Sequence, residues 1–235
     1  DRIKNPGRVI DQMVSFADFA PTILAAAKVT PQQITMQPME GKNWTDYFDD
    51  HFTLNRSDHR TFVLIGKERH DVGREKDGGY PVRGIVTQEY AYIINFEPDR
   101  WPAGNPETGY LNTDGSPTKT EILKRFRKQD SVYWKWAFGK RPKEELYFLK
   151  DDPYCLTNLA TDNAYSEIKI TLKNRLEKSL AAQNDPRMKN PHTPIFDNYP
   201  YADQKTQHFY TRWSKGEQMN TGWVNPSDFE TLTKE

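Results

Sequence analysis

The stretch Tyr80-Pro81-Val82-Arg83-Gly84-Ile85-Val86-Thr87, followed after Gln88-Glu89 by Tyr90-Ala91-Tyr92-Ile93-Ile94-Asn95-Phe96, decides the fold. Both runs are rich in β-branched and aromatic side chains, and their two-residue separation predicts an antiparallel hairpin. Two further runs join them. Thr61-Phe62-Val63-Leu64-Ile65 ends at Gly66, and Glu145-Leu146-Tyr147-Phe148-Leu149 is stopped by Asp151-Asp152-Pro153. The periodicity then changes. Over 163–182, Tyr165, Ile168, Leu172, Leu176 and Leu180 recur at three- and four-residue steps, which is one face of a helix ended by Asp185-Pro186. Strands followed by a covering helix predict an α+β unit, a small antiparallel sheet packed by a long C-terminal helix.

Toward the N-terminus, Ser15 and Asp18 have the spacing of a capping box ahead of Phe19-Ala20-Pro21-Thr22-Ile23-Leu24. Phe19, Ile23 and Ala27 share a face of this short, nearly all-apolar helix, which predicts that it lies sandwiched. The first 27 residues cannot supply that cover. Between 30 and 55 the chain reads as a connecting loop. Past the turn residues 112–118, Thr118 and Glu121 repeat the capping spacing before a basic helix from Ile122 to about Gln129. Beyond Pro186 the chain is aromatic, Pro-rich and aperiodic, predicting an irregular wrap. The expected organisation is 1–54, a helix and connecting loop; 55–187, the α+β unit; and 188–235, an aromatic-rich extension.

The 235 residues carry 33 Lys+Arg against 33 Asp+Glu, and this balance argues against wholesale binding to nucleic acid or an acidic membrane. Aromatic residues at 13% offset a mean hydropathy of −0.91 and exclude a disordered polyelectrolyte. Cys155 is the single cysteine, so neither an intramolecular disulfide nor a Cys-rich metal site is possible. No run approaches the ~18 apolar residues of a membrane helix, and residues 1–7 contain no apolar signal segment. The five histidines lack metal-ligand spacing, and neither a phosphate-binding Gly loop nor a G-x-S-x-G elbow occurs.

Three stretches, taken in order, resemble the C-terminal part of a sulfatase, nearest the heparan N-sulfatase (N-sulfoglucosamine sulfohydrolase) group. They are the segment Asp11 to Leu24; Glu68-Arg69-His70-Asp71 with Tyr80-Pro81-Val82-Arg83; and Arg141-Pro142-Lys143-Glu144-Glu145-Leu146-Tyr147 through Asp152-Pro153 to Asn158-Leu159-Ala160. The resemblance covers residues 8 to about 187. It implies the C-terminal subdomain of an alkaline-phosphatase-like sulfatase, preceded by a terminal helix of the catalytic α/β domain. Such enzymes use a formylglycine, made from the Cys or Ser of a C/S-x-P/A-x-R motif, with a Ca²⁺ held by Asp and Asn. That site falls N-terminal to the matched region. Cys155-Leu156-Thr157-Asn158-Leu159 has neither the Pro nor the Arg, so Cys155 is not the nucleophile precursor. The expectation is therefore that no catalytic residue and no cofactor lie on this chain. Ca²⁺ belongs to the missing catalytic domain, and alone the chain should not hydrolyse sulfate esters or sulfamates.

His70 and Asp71 are the leading substrate-binding candidates, with Arg83 behind them. They follow a strand and precede a Gly-bearing loop (Gly73, Gly78, Gly79), where ligand contacts concentrate. An imidazole, a carboxylate and a guanidinium fork suit sugar hydroxyls and sulfate or uronate oxygens. The competing reading is that His70-Asp71 caps the loop and Arg83 pairs with a carboxylate. Lys124-Arg125-Phe126-Arg127-Lys128 reads first as a solvated helix face and second as a glycosaminoglycan contact. Trp134, Trp136 and Phe138 read as core, with sugar stacking as the alternative. Asp152, Pro153 and Asn158 read as turn chemistry.

The expected partners are a sulfated glycosaminoglycan sugar and the N-terminal catalytic domain, without nucleic acid or membrane, in a periplasmic or secreted parent. The rival is a stand-alone carbohydrate-binding or scaffolding module without catalysis. A phosphatase or phosphodiesterase of the same superfamily is weaker, because those usually lack the Glu-Glu-Leu-Tyr…Asp-Pro…Asn-Leu stretch.

Overall fold

The structure, a computed structural model, describes residues 3–30, 33–48, 60–200, 205–219 and 221–230. Its contacts divide into two units, residues 1–64 with 86–89, and residues 65–85 with 90–235.

In the first unit a 3₁₀ turn, Phe16–Asp18, leads into helix α1, Phe19–Ala26. The capping box forms as the spacing predicts: the Ser15 hydroxyl accepts from backbone N–H, and the Asp18 carboxylate accepts from Ser15 N at 2.7 Å. Asp18 also accepts from Lys42 N at 2.7 Å and pairs with Arg60, while Thr22 Oγ1 accepts from Trp44 N. The polar side chains therefore turn inward. Asp18 is 2% exposed, whereas Phe16 is 89% and Ile23 62% exposed.

The second unit holds most of a four-stranded sheet of order β1-β2-β3-β4: β1, Val63–Lys67; β2, Val82–Val86; β3, Tyr90–Asn95; β4, Glu144–Phe148. β3 and β4 are antiparallel in the register Tyr90↔Phe148, Tyr92↔Leu146, Ile94↔Glu144. β2 and β3 are neighbours joined by only three residues, and so short a link requires the antiparallel hairpin. β1 runs two residues past the expected run. Gly66 permits this, because a Cβ there would stand 3.0 Å from the Val82 carbonyl and 3.1 Å from Arg83 Cδ.

Helix α2, Pro117–Arg127, is capped by the Ser116 hydroxyl, which accepts from Lys119 N at 3.1 Å. The cap thus falls two residues before the expected Thr118, with Pro117 at the first helical position, where its missing N–H costs nothing. Helix α3, Val132–Phe138, was not expected from the sequence; its aromatic residues have middling helix propensity and no polar stripe. It packs on α2 around Leu123, Phe138 and Tyr110, with Phe126 and Trp134 stacked at 4.3 Å.

Helix α4, Ser166–Ala182, buries Leu172, Leu176 and Leu180 and packs on β3, as the three- and four-residue steps predict. Burying such a leucine contributes roughly 1.5–3 kcal/mol. Two short helices follow, α5, Pro186–Lys189, and α6, Phe209–Ser214, so the stretch beyond Pro186 is partly helical. Phe209 is fully buried with Val72 and Leu111, and Trp213, Met219, Trp223 and Val224 pack against them.

One buried ion pair fastens that last stretch. Lys119 Nζ lies 3.2 Å from Asp228 and donates to the carbonyls of Gly109 and Thr113. Asp152 and Asn158 behave as turn residues. Asp152 accepts from Leu156 N and Thr157 N; Asn158 Oδ1 accepts from Leu146 N and Ala160 N, and Ala160 seals the core beside it.

Candidate functional site

Beyond β1 the chain runs Glu68-Arg69-His70-Asp71-Val72. These five residues line a cleft of ≈ 300 Å³ together with Phe196, Tyr199 and Thr206. The cleft floor is fixed by charge pairing. Glu68 Oε1 accepts from Arg83 Nη2 at 2.6 Å and Arg187 Nε at 2.9 Å, and its Oε2 accepts from Arg187 Nη2 at 2.6 Å. Arg83 Nε donates to Asp185 Oδ2 at 2.6 Å. Asp185 Oδ1 in turn accepts from Arg187 N at 2.9 Å. Burial alone would raise the Asp185 carboxyl, but the Arg83 hydrogen bond, the Arg187 N–H and both guanidinium charges outweigh it and hold it below the ordinary value.

Arg83 therefore stands apart from His70 and Asp71. It is absent from the cleft lining and held between Glu68 and Asp185, the carboxylate pairing that competed with a substrate role.

The opposite wall comes from a distant part of the chain. Arg187, 2% exposed, donates to the Pro191 carbonyl at 2.6 Å and lies 5.5 Å from the Phe96 and Phe196 ring centres. Asp197 Oδ1 accepts from Gly79 N at 3.0 Å, and Arg69 Nη2 donates to the Asp197 carbonyl at 3.1 Å. With both ends of 191–197 fastened, Phe196 faces the cleft and Tyr199 stands 69% exposed beside it. Gly79 lets the chain pass beneath Glu68, where a Cβ would meet the Glu68 carbonyl at 2.4 Å.

The loop after Asp71 is packed, contrary to the mobile segment its glycines suggest. Arg74 is buried and donates to the carbonyls of Trp101 at 2.7 Å and Pro102 at 3.0 Å. Asp77 accepts from His208 N, holding the Thr206 side of the cleft. Val72 sits in the core, so His70 and Asp71 are presented from a rigid base. His70 is exposed. Asp71 is half-buried, and burial pushes its carboxyl above the ordinary value against the opposing Val72 N–H and His70.

The cleft thus offers an imidazole, a carboxylate that protonates more readily than usual, and two aromatic side chains, groups able to meet a polyhydroxylated ring. No group of three or more His, Cys, Asp or Glu residues among the described residues is arranged to hold a metal ion. Cys155 is a half-buried free thiol, raised by burial and by Asp152, and lies away from the cleft lining. Sequence reasoning reached His70 and Asp71 but missed Phe196, Tyr199 and Thr206. The aromatic density after Pro186 was the available signal.

No family model matches the sequence. Over 180 residues the chain is 26% identical to an ulvan-active sulfatase of Formosa agariphila, a match covering 74% of this chain and 26% of that protein. The chain is thus similar to a sulfatase and spans about a quarter of the curated relative's length, without singling out the heparan N-sulfatase group.

Three solved structures are also similar. One is a protein in complex with its substrate D-glucosamine-2-N,6-O-disulfate (17% identity, 74% of this chain and 25% of that one, TM-score 0.45). The second is a 2-O glycosaminoglycan sulfatase (16%, 78% and 28%, TM-score 0.44). The third comes from work on glycosaminoglycan metabolism by Bacteroides thetaiotaomicron (18%, 83% and 33%, TM-score 0.47). At these TM-scores the structural likeness carries no argument of its own. No helix among the described residues is long and apolar enough to cross a membrane.

Proposed function

We propose that this chain forms the C-terminal part of a sulfatase that removes sulfate, as sulfamate or sulfate ester, from polysaccharide sugars of the glycosaminoglycan class. Its task is to wall the substrate pocket. His70 and Asp71 contact the sugar, Phe196 and Tyr199 stack on it, and Arg83 acts at one remove by holding Glu68. The observation that carries this reading is the cleft itself, with its exposed imidazole and half-buried carboxylate beside two rings. The sequence match to an ulvan-active sulfatase supports the reaction class.

The reaction itself belongs to a catalytic portion outside these residues, with its formylglycine and Ca²⁺, in a periplasmic or secreted protein. The outward apolar side chains Phe16, Phe19 and Ile23, at the turn before α1 and along it, support such a portion, because a contiguous exposed apolar patch marks a surface that a partner covers.

His70→Ala in the complete enzyme tests the assignment. A lost hydrogen bond to a charged sugar substituent predicts a fall of about 10- to 100-fold in kcat/KM on a sulfated oligosaccharide. Turnover of a small aryl sulfate should be nearly unchanged. Equal losses on both substrates would remove the sugar-recognition role, and a chain that binds the oligosaccharide without any partner enzyme turning it over would favour the stand-alone binding module.

A further inference from the structure

A second surface of the sheet unit carries chemistry that the cleft does not use. Helix α3 has the sequence Val-Tyr-Trp-Lys-Trp-Ala-Phe, and at 100° per residue its two ends of the wheel separate cleanly. Trp134 and Phe138 fall together and pack inward against α2. Trp136 and Val132 fall on the opposite side, with Tyr133 and Lys135 flanking them. The structure bears this out: Tyr133 is 47% and Trp136 42% exposed, and their rings meet edge to face at 5.6 Å. A rigid aromatic step therefore projects from a helix whose other face is locked in the core. Arg141 fixes its C-terminal end by donating to the Trp136 carbonyl.

Cations surround the step. The Arg125 guanidinium lies 5.5 Å from the Tyr133 ring centre while pairing with Glu121 and Asp130. Lys124, Lys128, Lys135 and Lys140 are exposed on α2, α3 and the turns that follow them, and Lys140 lies 5.2 Å from the Trp101 ring centre. The chain as a whole has equal numbers of acidic and basic residues, so this excess of cations is local. An aromatic face offers the apolar side of a pyranose ring a flat partner, and ammonium and guanidinium groups spaced around it complement a ligand bearing repeated anions. Nucleic acid would also meet rings and cations, but a nucleic-acid surface draws on a domain-wide basic field that a neutral chain lacks.

We infer that the outer face of α3, with Tyr133, Trp136, Lys135 and the neighbouring Arg125 as its contacts, is a second binding site for a sulfated polysaccharide, separate from the cleft at His70. It holds a remote stretch of the same polymer. The choice of a sulfated sugar rests in part on the proposed function; the existence of the site rests on the α2–α3 surface.

Native gels of the full chain containing dextran sulfate, unsulfated dextran, poly(vinyl sulfonate) or poly(U) test it. Trp136→Ala should weaken dextran sulfate retention about tenfold, the size of loss seen when a stacked ring is removed, and poly(vinyl sulfonate) retention by under about twofold. Lys135→Glu with Arg125→Gln should weaken both, with circular dichroism unchanged. In a chain already carrying His70→Ala and Asp71→Ala, so that the cleft is disabled, Trp136→Ala should still weaken dextran sulfate retention about tenfold.

Retention indifferent to Trp136→Ala, whether in the unchanged chain or in the His70→Ala, Asp71→Ala background, overturns the inference. So does tighter binding of poly(U) than of dextran sulfate, or a dimer in sedimentation that Trp136→Ala dissociates, which would assign the face to a second copy. None of these readouts involves sulfate hydrolysis, so absent turnover in the complete enzyme would count against the proposed function and leave this site standing.

Discussion

Helix α1 in the first unit and helix α4 in the second are built from similar apolar residues and turn them in opposite directions. α4 buries Leu172, Leu176 and Leu180 and leaves its lysines and glutamates at the surface. α1 and the 3₁₀ turn before it bury Asp18 and Thr22 against backbone N–H groups of Lys42 and Trp44, while Phe16, Phe19 and Ile23 face outward. The difference lies in what each helix finds inside its own unit. α4 meets β3, an apolar surface; α1 meets a polar loop that needs hydrogen-bond acceptors. An apolar period in a sequence thus announces that a face will be covered, without saying that this chain covers it.

Five changes break or sharpen that contrast, and the largest effect should come from the charge network that ties the second unit together. Arg187→Ala strands Glu68 beside Arg83 and removes the Pro191 contact; a buried pair broken on one side predicts a loss of about 3–5 kcal/mol in urea unfolding. Leu176→Ala should cost about 2–5 kcal/mol, whereas Ile23→Ala, outward on α1, should stay within about 0.5 kcal/mol. Equal losses at these two positions would erase the contrast.

Asp18→Ala removes the inward acceptor of Ser15 N and Lys42 N and should cost about 1–3 kcal/mol, seen as faster hydrogen exchange at those two amides. The smallest effect concerns Asp71. Burial first, against its Val72 N–H, raises its folded pKa above the ordinary 3.8, so the folded chain holds a proton that the unfolded chain releases. Stability therefore falls as pH rises through that window. Asp71→Asn should raise Tm slightly at neutral pH, and the gain should vanish below the unfolded value.

Much of the fold was legible, for local reasons. β2, β3 and β4 lie within two residues of the runs that predict them, since β-branched and aromatic residues fill them and Pro, Gly or Asp marks their limits. α4 follows from its leucine spacing. α3 escaped because Val132-Tyr133-Trp134-Lys135-Trp136 carries no polar alternation, and its inner face is set by contact with α2. The Thr118–Glu121 spacing makes a capping box on paper; in the structure Ser116 is the cap and Glu121 pairs with Arg125.

The site was half legible. His70 and Asp71 stand where a strand hands over to a loop, a position readable from sequence. Phe196 and Tyr199 reach the cleft only because Arg187 meets Glu68 across 119 residues and Asp197 meets Gly79 across 118, pairings that no local pattern encodes. Arg83 looked available for the same reason: its partner Asp185 is 102 residues away.

The Lys119–Asp228 pair sets a condition on synthesis. α2 is complete more than a hundred residues before Asp228 emerges from the ribosome, and until then the Lys119 ammonium has its two carbonyls and no Asp228 carboxylate. Leu111 waits in the same way for Phe209, Trp213 and Trp223, which pack around it from about a hundred residues further along the chain.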